Sequence, residues 1–116
     1  MGRQKKTAPK SYQIRVSVNA LQNIDEITGY IAFINQQPLN AIKVGDAIFE
    51  VIDRIAANPF AFRECEELPT QTRMYRRAVC YSWRIIYRIK ADEIVVLGII
   101  HHSRRPSRVK ALRKIK

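Results

Sequence analysis

The chain has 116 residues, which is the size of one domain with one hydrophobic core. Its hydrophobic content of 47% excludes general disorder, and no apolar run approaches the length that a membrane span needs. Lysine and arginine number 21 against 10 acidic residues, and the net charge of +11 favours a polyanionic partner. The basic N-terminus has no apolar stretch behind it, so we expect no secretory signal. We also expect a reducing compartment, in which the two cysteines are free thiols.

Apolar and polar side chains alternate over residues 12–18, which predicts a half-buried strand. The period then becomes helical over residues 21–34, and either Ser17 or Asn19 can cap the start of that helix. A second helical stripe runs over residues 41–55. Because the link between the two stripes is short, the helices should lie antiparallel as a hairpin.

The second half of the chain is rich in strand-forming residues. An acidic cluster at residues 64–67 is expected to be a solvated stretch, and β-forming runs follow at residues 73–80, 83–89 and 94–101. The short connections indicate an antiparallel meander, and the last run, apolar on both faces, should be a central strand. The sequence therefore predicts an α+β protein with an N-terminal strand and an antiparallel helical hairpin packed on a small antiparallel β-sheet.

These elements predict a single domain over residues 11–106. Residues 1–10 are basic and contain a proline, which is typical of a flexible arm. Residues 107–116 are also basic and are expected to form a C-terminal tail or a frayed helix.

Arginine side chains should line the face of the sheet that points away from the helices. Alternation in the penultimate strand places Arg84 and Arg88 on that face. Arg76 and Arg77 point to opposite faces of the strand before it, and Arg77 is the better candidate to join Arg84. The planar guanidinium group fits phosphate bidentately, so this face could bind a nucleic acid or an acidic partner.

The last strand ends in a cationic cluster that could do chemistry. Metal-free RNA cleavage needs a base, an acid and cations near the phosphate, and histidine and arginine can supply all three. The candidate catalytic residues are Arg84, Arg104, His101 and His102, and the candidate partner-binding residues are Arg76, Arg77, Arg88 and Arg105. The same pattern also fits a solvated sheet face whose histidines bond only to backbone.

Other kinds of site have little support in the sequence. It contains no P-loop, no GxGxxG dinucleotide motif, no HExxH zinc motif and no GxSxG nucleophile motif. Cys65 and Cys80 lack the CxxC spacing of a metal site. We therefore expect no metal and no cofactor.

Three segments of the chain resemble the RelE/ParE superfamily of bacterial toxins from type II toxin–antitoxin modules. The first joins the opening strand to a capped helix, IRVSVNALQNIDEITGYIA, and the second ends the second helix, IDRIAANPF. The third and most specific is WRIIYRIKADEIVVLGIIHHSRRP, which is similar to the family's last two strands and their H-x-x-R-R ending. The resemblance covers residues 12–106.

The resemblance implies a hairpin packed on a curved antiparallel sheet and a cytoplasmic, growth-inhibiting toxin. A cognate antitoxin would cover the basic surface with an acidic or amphipathic segment, giving a toxin–antitoxin hetero-oligomer. RelE-like members cut mRNA on the ribosome without metal, and ParE-like members inhibit DNA gyrase. Arg84 and Arg104 match arginines of the RelE-type nucleases, but the C-terminal tyrosine of those nucleases has no counterpart after Tyr87. The long hairpin favours the ParE branch.

Three functions therefore stay open at the level of sequence. The first is a toxin that binds DNA gyrase, and the second is a ribosome-dependent endoribonuclease acting on mRNA. The third is a basic nucleic-acid-binding module without toxicity. None of the three implies a membrane partner.

Overall fold

The computed structural model describes residues 12–116, so the predicted arm over residues 1–10 lies outside the described part. Two long helices dominate the first half of the chain. The strand β1 is followed by helix α1, a π-helical turn and helix α2, over Gln13–Val16, Val18–Gly29, Tyr30–Ile34 and Pro38–Ala57. The predicted antiparallel helical hairpin is confirmed.

The second half of the chain forms the rest of a five-stranded sheet. Strands β2 to β5 are Arg63–Glu64, Tyr75–Cys80, Trp83–Lys90 and Glu93–His101, and helix α3 is Pro106–Lys110. The strand order is β1-β5-β4-β3-β2, and the pairings of β2 to β5 are all antiparallel. This confirms the predicted meander, with β5 as a central strand.

The pairing of β1 with β5 is parallel, which the sequence pattern did not specify. Gln13 lies opposite Glu93 and Val16 opposite Val96. The helical hairpin between β1 and the meander supplies the long connection that a parallel neighbour requires. The sheet therefore has one parallel pairing, between β1 and β5, and its other pairings are antiparallel.

Helix α1 begins at Val18 because Ser17 caps it. The Ser17 hydroxyl accepts a hydrogen bond from the Ala20 amide at 3.0 Å, as expected for a residue at this position. Asn19, the alternative cap, donates instead to the Leu97 carbonyl at 2.9 Å. Both side chains thus tie the first turn of α1 to strand β5.

A β-bulge explains why β5 needs these contacts. The register with β4 shifts between Ile86 and Tyr87, so that Leu97 has no partner across the ladder. The Leu97 carbonyl accepts from Asn19 and from Ser17, and Asn23 Oδ1 accepts from the Ile99 amide at 2.9 Å. The side chains of Ser17 and of two α1 residues therefore satisfy the backbone groups that the bulge leaves unpaired.

The main hydrophobic core lies between the hairpin and one face of the sheet. Ile48 and Ile55 of α2, Ala20 of α1 and Ile85 of β4 are fully buried there, together with Tyr87. The Tyr87 hydroxyl donates to the Pro59 carbonyl, which satisfies the one polar atom of that side chain. The core face predicted for β4 is confirmed.

A second hydrophobic cluster lies on the opposite face of the sheet, which was expected to be open. Ile86, Val95 and Leu97 are buried there beneath Val109 and Leu112. These last two residues come from α3 and from a 3-10 turn at Ala111–Lys114. Residues 107–116, expected to be a frayed helix or a tail, thus form short helical turns whose two apolar residues, three apart, pack onto the sheet.

Within the described part of the chain, no helix is long and apolar enough to cross a bilayer.

Candidate functional site

The strand register decides which arginines share a face. Arg77 pairs with Ile86 and lies on the same face as Arg84 and Arg88, which confirms that part of the prediction. Arg76 pairs with Tyr87 and so lies on the face of the hairpin. The arginines of β3 and β4 are thus divided between the two faces of the sheet.

Arg84 is held by an internal carboxylate. Its Nη1 lies 2.9 Å from Glu67 Oε2 and 3.2 Å from Glu67 Oε1, and the two side chains are only 15% and 19% exposed. The expectations that Arg84 points freely to solvent and that the whole acidic cluster is solvated are therefore wrong. The sequence pattern missed this pair because Glu67 lies in an irregular segment whose path over the sheet follows no periodicity.

A buried thiol extends the same network. Cys65 is fully buried, and its Sγ lies 3.7 Å from Glu67 Oε1. Burial raises the pKa of Cys65 to about 11, and the Glu67 carboxylate contributes to that rise. Burial alone would also raise the pKa of Glu67, but hydrogen bonding and the charge of Arg84 hold that pKa below its ordinary value of 4.5. The network is therefore an ionised pair beside an inert thiol.

Arg88 holds the last residues of the chain. It donates from Nη1 to the Ile115 carbonyl at 2.9 Å and from Nη2 to the Lys116 carbonyl at 3.4 Å. Arg15 of β1 also donates to the Lys116 carbonyl. Arg88 therefore fastens the C-terminal segment over the second hydrophobic cluster, a contact that the sequence did not predict.

Arg76 has a structural contact of its own. It donates to the carbonyls of Arg73 and Phe62, both at 2.9 Å, and its guanidinium carbon lies 5.3 Å from the centre of the Phe60 ring. These contacts join β3 to the segment that follows α2. The side chain of Arg77, by contrast, makes no hydrogen bond or ion pair with residues 12–116. Of the arginines on β3, Arg77 keeps the guanidinium available for a partner.

The two histidines at the end of β5 stack on each other with ring centres 4.5 Å apart. His102 Nδ1 lies 3.0 Å from the Ser82 carbonyl, which can only accept, so Nδ1 is the donor and, in the neutral ring, Nε2 is the acceptor. His101 Nδ1 accepts from the Ser103 amide at 3.2 Å, so in the neutral ring Nε2 is the donor. With both rings neutral, the two histidines therefore present one acceptor, Nε2 of His102, and one donor, Nε2 of His101.

The sheet separates His101 from Arg84. His101 pairs with Trp83, whose ring it contacts edge to face at 5.8 Å, whereas Arg84 pairs with Ile100. Neighbouring positions on a strand point to opposite faces, so His101 and Arg84 lie on opposite sides of the sheet. The structure does not bring the four candidate catalytic residues together around one phosphate.

A run of exposed cations follows the histidines. Arg104 and Arg105 are exposed and, within the described chain, make no side-chain hydrogen bond or ion pair. From residue 94 to residue 116 the chain has no acidic residue. We call its exposed basic residues the C-terminal basic ridge; they are Arg104, Arg105, Arg108, Lys110, Arg113, Lys114 and Lys116. Such a surface attracts an anionic partner.

A second surface feature lies beside α2. Leu39, Ile42 and Ala47 line a groove of about 470 Å³ with Tyr81 from the turn between β3 and β4, and Lys43, Asp46 and Glu50 complete its rim. We call it the α2 groove. Asp46 and Glu50 fit the sequence pattern of ordinary surface charges, and only the folded chain brings them next to Tyr81. The α2 groove differs from the basic ridge in combining apolar side chains with two carboxylates and one lysine.

Residues 12–116 contain no group of three histidine, cysteine or acidic side chains that could hold a metal ion. Both cysteines are buried and free.

Fold and surface together define a small basic α+β protein with a run of exposed cations after its last strand. The family model for the ParE toxin of type II toxin–antitoxin systems of the parDE kind matches residues 14–106. The chain therefore belongs to the ParE toxin family, whose members are the toxins of such systems. A comparison with curated proteins finds no match.

Two solved structures share the fold. A chain of the chromosomal ParDE system from P. aeruginosa has a TM-score of 0.65 at 21% identity, covering 78% of this chain and 96% of the other. A chain of the RelBE2 toxin–antitoxin complex from Mycobacterium tuberculosis has a TM-score of 0.52 at 17% identity, covering 79% and 99%. The predicted RelE/ParE fold is confirmed, and both neighbours come from toxin–antitoxin systems.

Proposed function

We propose that this toxin inhibits growth by binding DNA gyrase and that it has no active site of its own. The observation that carries the proposal is the separation of the candidate nuclease residues. Arg84 is occupied by Glu67, and His101 lies on the other face of the sheet. A phosphorane needs its acid, base and cation around one phosphate, so this separation favours binding over cleavage.

The membership in the ParE family supports the choice of target, because ParE-like toxins act on gyrase. Induction of the chain in bacteria should then block replication and trigger the SOS response, while translation continues. Abrupt loss of translation with mRNA cut in frame would contradict gyrase as the target. Unchanged growth would instead support the non-toxic nucleic-acid-binding module.

We further propose that the cognate antitoxin neutralises the toxin by laying an acidic or amphipathic segment along the C-terminal basic ridge. The ridge combines seven exposed cations with no acidic residue after Glu93. Arg77 supplies a further cation without an internal partner in the described chain. A small open reading frame with an acidic tail should adjoin the gene, and the two chains should form a hetero-oligomer in the cytoplasm.

Charge reversal tests the antitoxin site. Arg105→Glu combined with Arg108→Glu should weaken the complex at least tenfold and reduce its salt dependence, because both side chains are exposed in the ridge. Lys90→Glu is the matched control, since Lys90 is exposed at the end of β4 and lies outside the ridge. Equal weakening by the control would show a general charge effect and no localised site.

A ribosome-dependent endoribonuclease is the second candidate, because the stacked histidines offer one donor and one acceptor nitrogen beside Arg104. That function would need His101 and His102 as acid and base, and Arg104 as the cation. Cleavage of mRNA on the ribosome by the purified chain, abolished by His102→Ala, would establish it. Toxicity that is retained in the double variant His101→Ala, His102→Ala would exclude it.

A further inference from the structure

Two arginines face each other across the pairing of β2 with β3. Arg63 lies directly opposite Arg77. Residues in such positions share a face of the sheet with their Cβ atoms roughly 5 Å apart, and like charges placed there are destabilising. Within residues 12–116, neither side chain makes a hydrogen bond or an ion pair. The fold therefore keeps two unneutralised guanidinium groups side by side, and stability alone does not account for that arrangement.

A third arginine continues the pair across the same face of the sheet. The guanidinium carbon of Arg113 lies 5.8 Å from the centre of the Tyr75 ring. Tyr75 is two residues before Arg77 in β3, so the two residues share a face with a step of roughly 6.6 Å between them. We call Arg63, Arg77 and Arg113 the arginine track. Because Arg113 also belongs to the C-terminal basic ridge, the track joins that ridge to the edge strand β2.

The acidic side chains close to β2 in the sequence leave the track charged. Glu64 lies opposite Arg76, which places it on the face that packs against the hairpin. Glu67 reaches the face of the track, but it is paired with Arg84 at 2.9 Å. Glu66 makes no ion pair with any residue that the structure describes. The countercharge that the track lacks would therefore come from an anion outside the chain.

The chemistry of the track favours a phosphodiester backbone as that anion. Every member of the track is an arginine, whose planar fork fits phosphate bidentately in a way that lysine cannot. Tyr75 is only 6% exposed and has Arg113 over its ring, so it offers no open aromatic face on which an unpaired base could stack. A duplex, whose bases are already stacked on each other, therefore fits this surface better than a single strand.

We propose that the arginine track binds the phosphate backbone of duplex DNA. Arg63 and Arg77 hold one phosphate between them, and Arg113 holds a neighbouring phosphate of the same strand. Because these contacts involve the backbone and no base edge, binding is independent of base sequence. The inference does not rest on gyrase being the target, since it concerns DNA without any enzyme.

Fluorescence anisotropy of a labelled DNA duplex with the purified full chain, from about 50 to about 200 mM salt, tests the proposal. The affinity of the wild-type chain should fall steeply as salt rises, because bound cations release counterions from the DNA. Arg63→Gln and Arg77→Gln should each weaken binding about tenfold and reduce the slope of log affinity against log salt by about 0.9. Arg77→Lys should weaken binding but keep the slope, since it retains the charge and loses the fork.

Arg54→Gln is the matched control for the loss of one positive charge. Arg54 is exposed on α2, on the other side of the sheet, where it pairs with Glu50. This variant should bind DNA with the wild-type salt slope. An equal reduction of the slope in Arg54→Gln would show that net charge governs binding and would contradict a localised track.

Circular dichroism melting separates binding from folding. Arg63→Gln and Arg77→Gln should melt at or above the wild-type midpoint, because each removes one of two facing like charges. A lowered midpoint in both variants would mean that the two arginines support the fold, contrary to the proposal. Absence of DNA binding by the wild-type chain at the lowest salt would overturn it, and so would binding whose slope both variants leave unchanged. If polyglutamate displaces the duplex equally well per charge, or if single-stranded RNA binds more tightly, the track takes that other ligand and duplex DNA is wrong.

Discussion

Nη1 of Arg84 lies 2.9 Å from Oε2 of Glu67, and both side chains are largely withdrawn from water. This pair joins the segment before β3 to the centre of the sheet. The sequence pattern places Arg84 on an open face, but in the folded chain Arg84 belongs to a largely buried ion pair. The pair also removes one cation from the surface that could meet a phosphate.

Removal of the charge at Glu67 should lower stability. We expect Glu67→Gln to reduce the free energy of unfolding by about 1–3 kcal/mol, because Arg84 stays buried with a weaker partner. Urea denaturation followed by circular dichroism measures the change. Glu66→Gln is the control, since Glu66 is exposed beside it, and it should change stability by less than about 0.5 kcal/mol.

The same pair should make stability depend on pH in the acidic range. The pKa of folded Glu67 lies below its ordinary value of 4.5, so unfolding takes up a proton in that range. The stabilisation is therefore complete well above pH 4.5 and is lost as the pH falls through the folded pKa. Melting curves of the wild type and Glu67→Gln should converge below that range; a constant difference down to the lowest pH would contradict the account.

Truncation of Leu112 should detach the C-terminal segment. Leu112 is 4% exposed in the second hydrophobic cluster, so Leu112→Ala should cost about 2–5 kcal/mol and speed amide exchange in α3. Hydrogen exchange read by mass spectrometry measures the loosening. Lys114→Ala, two residues away and exposed, should leave exchange in α3 unchanged.

Asn23 should contribute more to the free energy of unfolding than a polar helix residue normally does. Asn23→Ala leaves the Ile99 amide without its acceptor beside the β-bulge, which should cost about 1–3 kcal/mol. Urea denaturation is again the measurement. Gln22→Ala changes an exposed neighbour on the same helix and should have little effect. Similar losses in both variants would indicate a general effect on helix α1.

Periodicity was sufficient to predict the hairpin, the meander and the core face of β4, because each depends on the spacing of apolar residues along one element. The pairing of Glu67 with Arg84 was not predictable in this way, since Glu67 lies in an irregular segment. The surroundings of Gly98 were likewise not predictable from periodicity. A Cβ there would lie 2.9 Å from Leu112 Cδ2 and 3.1 Å from Asn19 Nδ2, and only the assembled fold brings those atoms together.

For the candidate site, too, the features that follow from strand periodicity were predictable and the others were not. The alternation of β3 and β4 placed Arg77 and Arg84 on one face correctly. Alternation along β5 alone would place His101 on the face of Val95 and Leu97, which is the face of Arg84. The β-bulge at Leu97 shifts this pattern, so that His101 pairs with Trp83 on the other face. The role of the C-terminal segment was missed because Val109 and Leu112 are only two apolar residues in a strongly basic run.

The central claim is that this toxin acts on gyrase by binding and without catalytic histidines. Supercoiling of relaxed plasmid by purified gyrase, with and without the purified full chain, tests it most directly. We predict that the wild-type chain and the variant His101→Ala, His102→Ala inhibit supercoiling at similar concentrations. Full supercoiling in the presence of a molar excess of the wild-type chain would contradict the account.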